Sequence, residues 1–369
     1  MQILSILLLA IIYVPIMISL SFMPYLTRKT ISFGVTVSED NYNSNPLRRM
    51  RKLYASISMA IYTALLVMCI SLIYSMRNTN VEYQSTIIAI SLCGMIIASI
   101  IMNLLFHFKM KKLSLSLPSS SGKKSVLAID TSFRQKKLIV SNKWFIIHTI
   151  VIITGMILVL VNYDKLPNAI PMKFDLNGNT TSFADKSYRT VFFPTMMQIV
   201  MVLMFILLNW SIQKSKQQID PANPERSIAQ NTLFRRRWSM YTVLSGLAII
   251  VTFSVHQFNM IYPIHPDVLI FVNMSIPAFI VLFAVILSFT TGQGGSRIGG
   301  APSSNGQPVK DDKHWRLGSI YYNPQDPSIF VEKRVGIGWT INFGHPAGGL
   351  ILLGIFALIA AVFLITGVH

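Results

Sequence analysis

Charge is scarce in this chain and acids are scarcer than bases: 12% of its 369 residues are Asp, Glu, Lys or Arg, only 14 are acidic, and the formal net charge is +18. A soluble chain of this length needs far more polar surface, so an ordinary globular protein is excluded. Cysteine is almost absent. Cys69 and Cys93 alone exclude a disulfide framework and supply too few ligands for a redox or metal centre. No HExxH, GxSxG or paired-carboxylate motif occurs, which argues against an enzyme and implies no cofactor. The Gly-rich stretch 292–300 is not a phosphate-binding loop, because no Lys-Ser or Lys-Thr follows Gly299 and no strand-helix unit precedes it.

What the chain has is hydrophobicity, 52% of its residues. A helix crossing a bilayer needs about 20 consecutive apolar residues, since every backbone amide must be satisfied within the segment. Eight runs free of Asp, Glu, Lys and Arg meet that need: 1–27, 53–76, 83–108, 144–163, 190–213, 238–266, 268–296 and 335–369. The expected fold class is therefore an all-α polytopic membrane protein of eight transmembrane helices. The narrowest break separates the sixth and seventh, where Tyr262, Pro263, His265, Pro266 and Asp267 form a turn. The first run has no basic residue before its apolar stretch and no small-residue cleavage site, so it is expected to be a helix, kinked at Pro15, rather than a signal peptide.

Eight spans divide the loops into two sets, and 27 of the 32 Lys and Arg residues, with nine of the 14 acids, fall in one set. That set faces the cytoplasm by the positive-inside rule, which leaves both termini outside the cell. The clusters Arg48, Arg49, Arg51, Lys52 and Arg235, Arg236, Arg237 abut helix starts. They are expected to face anionic lipid headgroups as topogenic charge, which removes any need for a nucleic-acid partner. Trp144, Trp210 and Trp238 at inner ends, and Tyr83, Tyr163, Tyr188 and Tyr262 at outer ends, match an aromatic belt.

The expected organisation is a three-helix region (1–108), a basic cytoplasmic linker (109–143), a helix pair (144–213) with an extracellular loop (163–189), helices six and seven (214–291), a flexible linker (292–310), and a cytoplasmic aromatic segment with the last helix (311–369). The first linker brackets the irregular 117–122 with basic residues. In the extracellular loop, Ile170, Met172, Phe174 and Leu176 alternate with Pro171, Lys173 and Asp175 before Asn177-Gly178, a hairpin signature. Asp175, Asn177 and Asn179 fall at alternate positions as in a calcium loop, but Thr180 stands where Gly is needed and Lys186 where a bidentate Glu is needed. In the aromatic segment, 323–327 turns between two candidate strands, 319–322 and 328–333. Some 34 residues bury little core alone, so this segment must dock on the bundle or the membrane surface.

Three stretches resemble an uncharacterised family of polytopic membrane proteins of Gram-positive bacteria. They are Pro24-Tyr25-Leu26-Thr27-Arg28-Lys29 with Phe33-Gly34-Val35; Leu166-Pro167-Asn168-Ala169-Ile170-Pro171 with Phe174-Asp175-Leu176-Asn177-Gly178; and His314 to Gly318 with Tyr322-Asn323-Pro324, Phe330 to Arg334 and Gly338-Trp339. The middle stretch is similar to a domain of the Sdp-type immunity proteins, which protect a producing cell from a secreted peptide toxin and relay its presence to a repressor. This chain departs from the family at Lys173, where His is frequent. The resemblance implies a bacterial cell membrane and a class of protein, not a reaction.

Three functional classes remain. An enzyme would need convergent groups, and Asp164, Asp175, Asp185, His265 and Asp267 are accounted for by loop solvation. A transporter or lipid-handling protein would need a polar intramembrane site; the candidates are His148, Gln198, Asn209, His256, Gln257, Asn259 and Asn273, with both histidines expected near span ends. The favoured class is a non-catalytic receptor, immunity or accessory protein. It would bind a peptide or lipid-like ligand outside through Pro167, Ile170, Pro171, Met172, Phe174, Asn177, Gly178 and Phe183, and contact a cytoplasmic partner. Packing of the same residues against the helix ends is the competing expectation. Oligomeric state is not legible.

Overall fold

Proline and capping residues set the helix starts, and uninterrupted apolar sequence carries each helix through the width of a bilayer. The structure, a computed structural model, describes residues 2–75, 81–116, 137–174, 180–219, 223–299 and 311–366. In chain order come α1 (Gln2–Ser21), α2 (Met23–Leu26), β1 (Ile31–Ser32), β2 (Val35–Thr36), α3 (Glu39–Tyr42), α4 (Asn45–Ser75), α5 (Val81–Ser114) and α6 (Phe145–Val161). The hairpin β3 (Ala169–Phe174) and β4 (Thr180–Asp185) follows, then α7 (Tyr188–Val191), α8 (Phe193–Lys214), α9 (Pro224–Ile261) and α10 (Pro266–Thr291). The tail holds β5 (Trp315–Arg316), β6 (Ile320–Tyr321), β7 (Phe330–Glu332) and β8 (Trp339–Ile341), and α11 (Pro346–Thr366) ends the described chain.

Helices α4, α5, α6, α8, α9 and α10 are long and apolar enough to cross a membrane. Apolar α1 and α11 pack beside them, and their stretches Leu9–Ser21 and Pro346–Ala361 are shorter than these six spans. The fold is all-α and polytopic, with small strand pairs only among the described residues. Two helices begin well before their apolar runs, α4 at Asn45 and α9 at Pro224, because helix geometry continues through the polar turns beyond the bilayer. Asn223 accepts from the Arg226 amide and His265 from the Asp267 amide, so the break between α9 and α10 lies at 262–265 as the sequence predicts. Helix α1 continues through Pro15 and α10 through Pro277.

The long helices alternate between a basic face and a hairpin face. Arg297, after α10, donates to the Tyr25 carbonyl after α1 at one end, and Arg189 donates to the Leu364 carbonyl near the end of α11 at the other. One helical group, α1, α4 and α5, packs around Tyr13, Met17, Tyr62 and Met95. The other, α6, α8 and α9, packs around Phe145, Ile152, Val202, Val243 and Ile250. Helix α10 touches α1 on one side and α9 on the other, joining the two groups. At the basic face the β1–β2 hairpin presses Phe33 and Val35 onto Tyr54, Met102 and Phe106 of α4 and α5.

Candidate functional site at the two ends of the α8–α9 pair

At the hairpin face, β3 pairs antiparallel with β4, Ile170 opposite Ala184 and Pro171 opposite Phe183, with register shifts around Lys173. Alternation along β3 turns Ile170 and Met172 toward the helix ends. Ile170 is fully buried among Val159, Leu166, Val191 and Met260, with Met172 against the same cluster. Pro171 is half-buried, and Pro167 and Phe183 are exposed, Phe183 at 60%. Asn177 and Gly178, the expected turn, and Asp175 lie outside the described residues, as does the side chain of Phe174. Of the eight candidate ligand residues, the structure therefore gathers two into a buried seat and places Pro167, Pro171 and Phe183 toward the outside. Tyr163 stacks on Tyr188 at 4.5 Å. The Lys186 ammonium lies 4.9 Å from the Tyr163 ring centroid and donates to the Leu166 carbonyl at 3.1 Å, which closes the hairpin base.

A polar seam runs from this seat through the α6, α8 and α9 group. Gln257 donates to Thr195 at 2.6 Å, and Gln198 donates to Ser254 at 2.9 Å and to the Ile250 carbonyl at 3.0 Å. Further along, His148 Nε2 meets the Val243 carbonyl at 3.1 Å, and Ser239 donates to Asn209 at 2.5 Å. Each is an interhelical bond that satisfies a polar group where water is excluded. His148, in the first turn of α6 as expected for a residue near a span end, is completely buried against α9. Glycines permit the close approach: a methyl group on Gly155 would lie 2.6 Å from Gln257 Oε1, and one on Gly246 would lie 2.9 Å from the Phe205 ring. His256, expected near the outer end, bonds Asn273 of α10 at 2.8 Å.

The basic face holds an arrangement that sequence reasoning missed. Glu332, only 1% exposed, accepts from Arg28 at 2.6 Å through Oε2 and from Asn231 at 2.9 Å through Oε1. Asn231 in turn accepts from Arg235 at 2.6 Å. Arg235 is fully buried and donates to the carbonyls of Ile212, Ser215 and Lys216, which end α8. That corrects the expectation that Arg235 faces lipid: a guanidinium one helical turn beyond Asn231 lies on the same face of α9 and caps α8 from inside. Arg51 is corrected likewise, being 3% exposed, stacked 3.8 Å over the Tyr42 ring and donating to the Tyr42 carbonyl. Arg48, Arg49, Lys52, Arg236 and Arg237 are exposed.

The Gly-rich stretch after α10, expected as a tether, packs against the tail and α9 over its described residues, 292–299. Gln293 is buried and makes a reciprocal pair with Gly338, donating to its carbonyl at 2.9 Å and accepting from its amide at 2.7 Å. Gly294, at φ 62°, lets the Arg28 guanidinium lie against the backbone. Residues 300–310 lie outside the described residues, as do 117–136 of the first linker.

Expected tail strands 319–322 and 328–333 contain β6 and β7, but these do not pair with each other: β6 pairs with β5 and β7 with β8. Arg334, 4% exposed on its side chain, bonds Asp311, Asp312, Thr36 and the Gly34 carbonyl. Lys216 pairs with Asp326 at 2.6 Å, and Tyr321 donates to the same carboxylate at 2.8 Å. Burial pushes the Asp326 carboxyl up, but Lys216, the Ser328 amide and Tyr321 outweigh it and hold it at about 2. Asp312 is also lowered: burial raises it, and the Thr36 and Arg334 bonds win. The first and third stretches of the family resemblance are thus one assembly, with Gly34 and Gly318 in backbone contact and His107 Nδ1 bonded to the Phe33 carbonyl at 2.8 Å.

Among the described residues no three His, Cys, Asp or Glu side chains converge as a metal site. The Glu332 cluster has its cations and acceptors matched, which suits it to holding the tail. Comparison with known proteins finds two short matches. Residues 150–198 match a domain of unknown function (DUF1648), and residues 324–349 match a family of unknown function (DUF5808). The first spans α6, the hairpin and the start of α8; the second spans β7, β8 and the start of α11. No curated protein and no solved structure matches the chain.

Proposed function

We propose that this chain is a non-catalytic receptor, immunity or accessory protein of the bacterial cell membrane, its hairpin outside and its basic face in the cytoplasm. The carrying observation is that hairpin and tail occupy opposite ends of one helix pair, α8 and α9, joined by the Gln257–Thr195, Gln198–Ser254 and Asn209–Ser239 bonds. A peptide or lipid-like ligand that engages Pro167, Pro171 and Phe183 would press on strands whose other face, Ile170 and Met172, rests on the helix ends. A shift of α9 relative to α8 would then reach Asn231 and Arg235, and through Glu332 the tail that meets a cytoplasmic partner. The similarity of the hairpin stretch to Sdp-type immunity proteins suggests a secreted peptide toxin as the ligand.

The test is a strain carrying Phe174→Ser and Phe183→Ser at unchanged membrane abundance, challenged with such a toxin. Loss of tolerance is expected; tolerance equal to that of the parent chain would refute the assignment. A second reading, a carrier with a polar intramembrane site, rests on the α1, α4 and α5 group. There the buried hydroxyls of Tyr13, Tyr54, Tyr62, Ser58 and Ser91 cluster, Tyr13 beside Ser91 and both Tyr54 and Tyr62 beside Ser58. Solute flux in proteoliposomes that falls with Tyr62→Phe and not with Phe183→Ser would favour it.

A further inference from the structure

The tail is buried on one side only. Its inner side chains, Trp315, Tyr321 and Val331, form a small core, and Glu332 and Arg334 lock that side to the bundle. The register of β5 on β6 sets Arg316 opposite Ile320 on the outer side. There Leu317, Ile320, Tyr322 and Phe343 remain 47%, 40%, 42% and 49% exposed. Phe343 joins this face through its amide, which donates to the Tyr321 carbonyl. Leu317 is held at φ 51°, a left-handed conformation that a branched side chain adopts at a cost of about 1–3 kcal/mol.

Both edges of the face are tied to spans. Gly318, beside Leu317, lies against His107 of α5. The next residue, Phe108, is 54% exposed and continues the outward row Ile97, Ile101 and Leu105 of that helix. Phe343 stands three residues before Pro346, where α11 begins with its own exposed Leu350 and Leu353. The exposed apolar residues of the tail thus continue the outward apolar surface of α5 and α11, at the His107 turn of α5, just before the exposed Lys109, Lys111 and Lys112. Lys313 and Arg316 are exposed on the tail, and the Arg316 guanidinium lies 5.1 Å from the Tyr322 ring centroid. Aliphatic and aromatic residues rimmed by cations are the composition of a segment lying in the headgroup and acyl boundary of an anionic leaflet.

We propose that the Leu317, Ile320, Tyr322 and Phe343 face is seated in the leaflet at the basic face, so that the tail is clamped between bilayer and bundle. Leu317 enters the acyl boundary, and Arg316 and Lys313 meet lipid phosphate. The proposal holds whichever ligand the hairpin takes. Its test uses the full chain with both native cysteines replaced by Ser, spin-labelled singly at Leu317→Cys, Ile320→Cys, Gln325→Cys or Leu105→Cys, in vesicles of phosphatidylglycerol and phosphatidylethanolamine. Collision with oxygen and with a water-soluble nickel chelate then reports depth. Labels at 317 and 320 are expected to shift from the nickel-accessible end, occupied by 325, toward the oxygen-accessible end, occupied by 105. Leu317→Asp should return the label at 320 to the aqueous end. Labels at 317 and 320 as nickel-accessible as 325 would overturn the proposal, and so would labels shielded from both reagents, which would indicate a covering protein or second copy.

Discussion

The two ends of the α8–α9 pair are held by opposite physics. The hairpin rests on its helix ends through apolar contact, Ile170 in a socket of Val159, Leu166, Val191 and Met260. The tail is held by ion pairs that each have one buried member, Glu332 with Arg28, Arg334 with Asp311 and Asp312, and Asp326 with Lys216. Apolar contact is non-directional and tolerates a small slide. A buried carboxylate with three donors has one geometry, and losing a partner leaves an uncompensated charge. The hairpin end can therefore adjust to something that touches it, whereas the tail end holds or releases as a unit.

The largest effect that would sharpen this contrast is expected from Glu332→Ala. It leaves Arg28 and Asn231 without their acceptor and should destabilise the tail by about 3–5 kcal/mol. The readout is limited proteolysis within 311–344, with hydrogen exchange of the hairpin unchanged. Ile170→Ala empties the socket and should cost about 2–4 kcal/mol, seen as faster exchange across 163–187 with the tail unaffected. Coupled loss at both ends in either variant would break the comparison. Asp326 follows. Its carboxyl is depressed from 3.8 to about 2 in the folded chain, so its contribution is fully present above pH 4 and is lost as pH falls through that interval. About 2 kcal/mol is at stake, and the tail should become protease-sensitive on acidification before the hairpin does; Asp326→Asn should shrink that acid step to the part that Asp312 contributes. The smallest effect belongs to Phe183→Ser: an exposed side chain leaves thermal stability within about 0.5 kcal/mol while altering only what the hairpin binds.

Much of this was legible in the sequence where local rules operate. The alternation around Ile170 predicts a strand whose one face is buried, and β3 is that strand. The Pro263 and Pro266 break ends one helix and caps the next. Helix starts were less legible: charge-free runs mark what sits in hydrocarbon, while α4 and α9 begin about two turns or more earlier on polar residues. Least legible were the partners of single charges. Arg235 belongs to a run of three arginines with nothing local to separate it from its exposed neighbours, and its role depends on the carbonyls at the end of α8. Glu332 could have been suspected from the rarity of acids in so basic a chain, but its partner Arg28 lies 304 residues away.

From the sequence alone came the class of protein, the number of apolar segments, the division of loops into a basic and a nearly neutral set, and the hairpin. Each follows from residue spacing or from the cost of placing charge in hydrocarbon, and both are local quantities. Only the tertiary structure decided which arginines turn inward, that the aromatic tail pairs its strands as two separate hairpins, and that the first and last motif stretches close into one polar layer. Those outcomes depend on which groups, far apart along the chain, are brought within 3 Å of one another. Helix packing sets that, because a buried charge is stable only where its partners already stand.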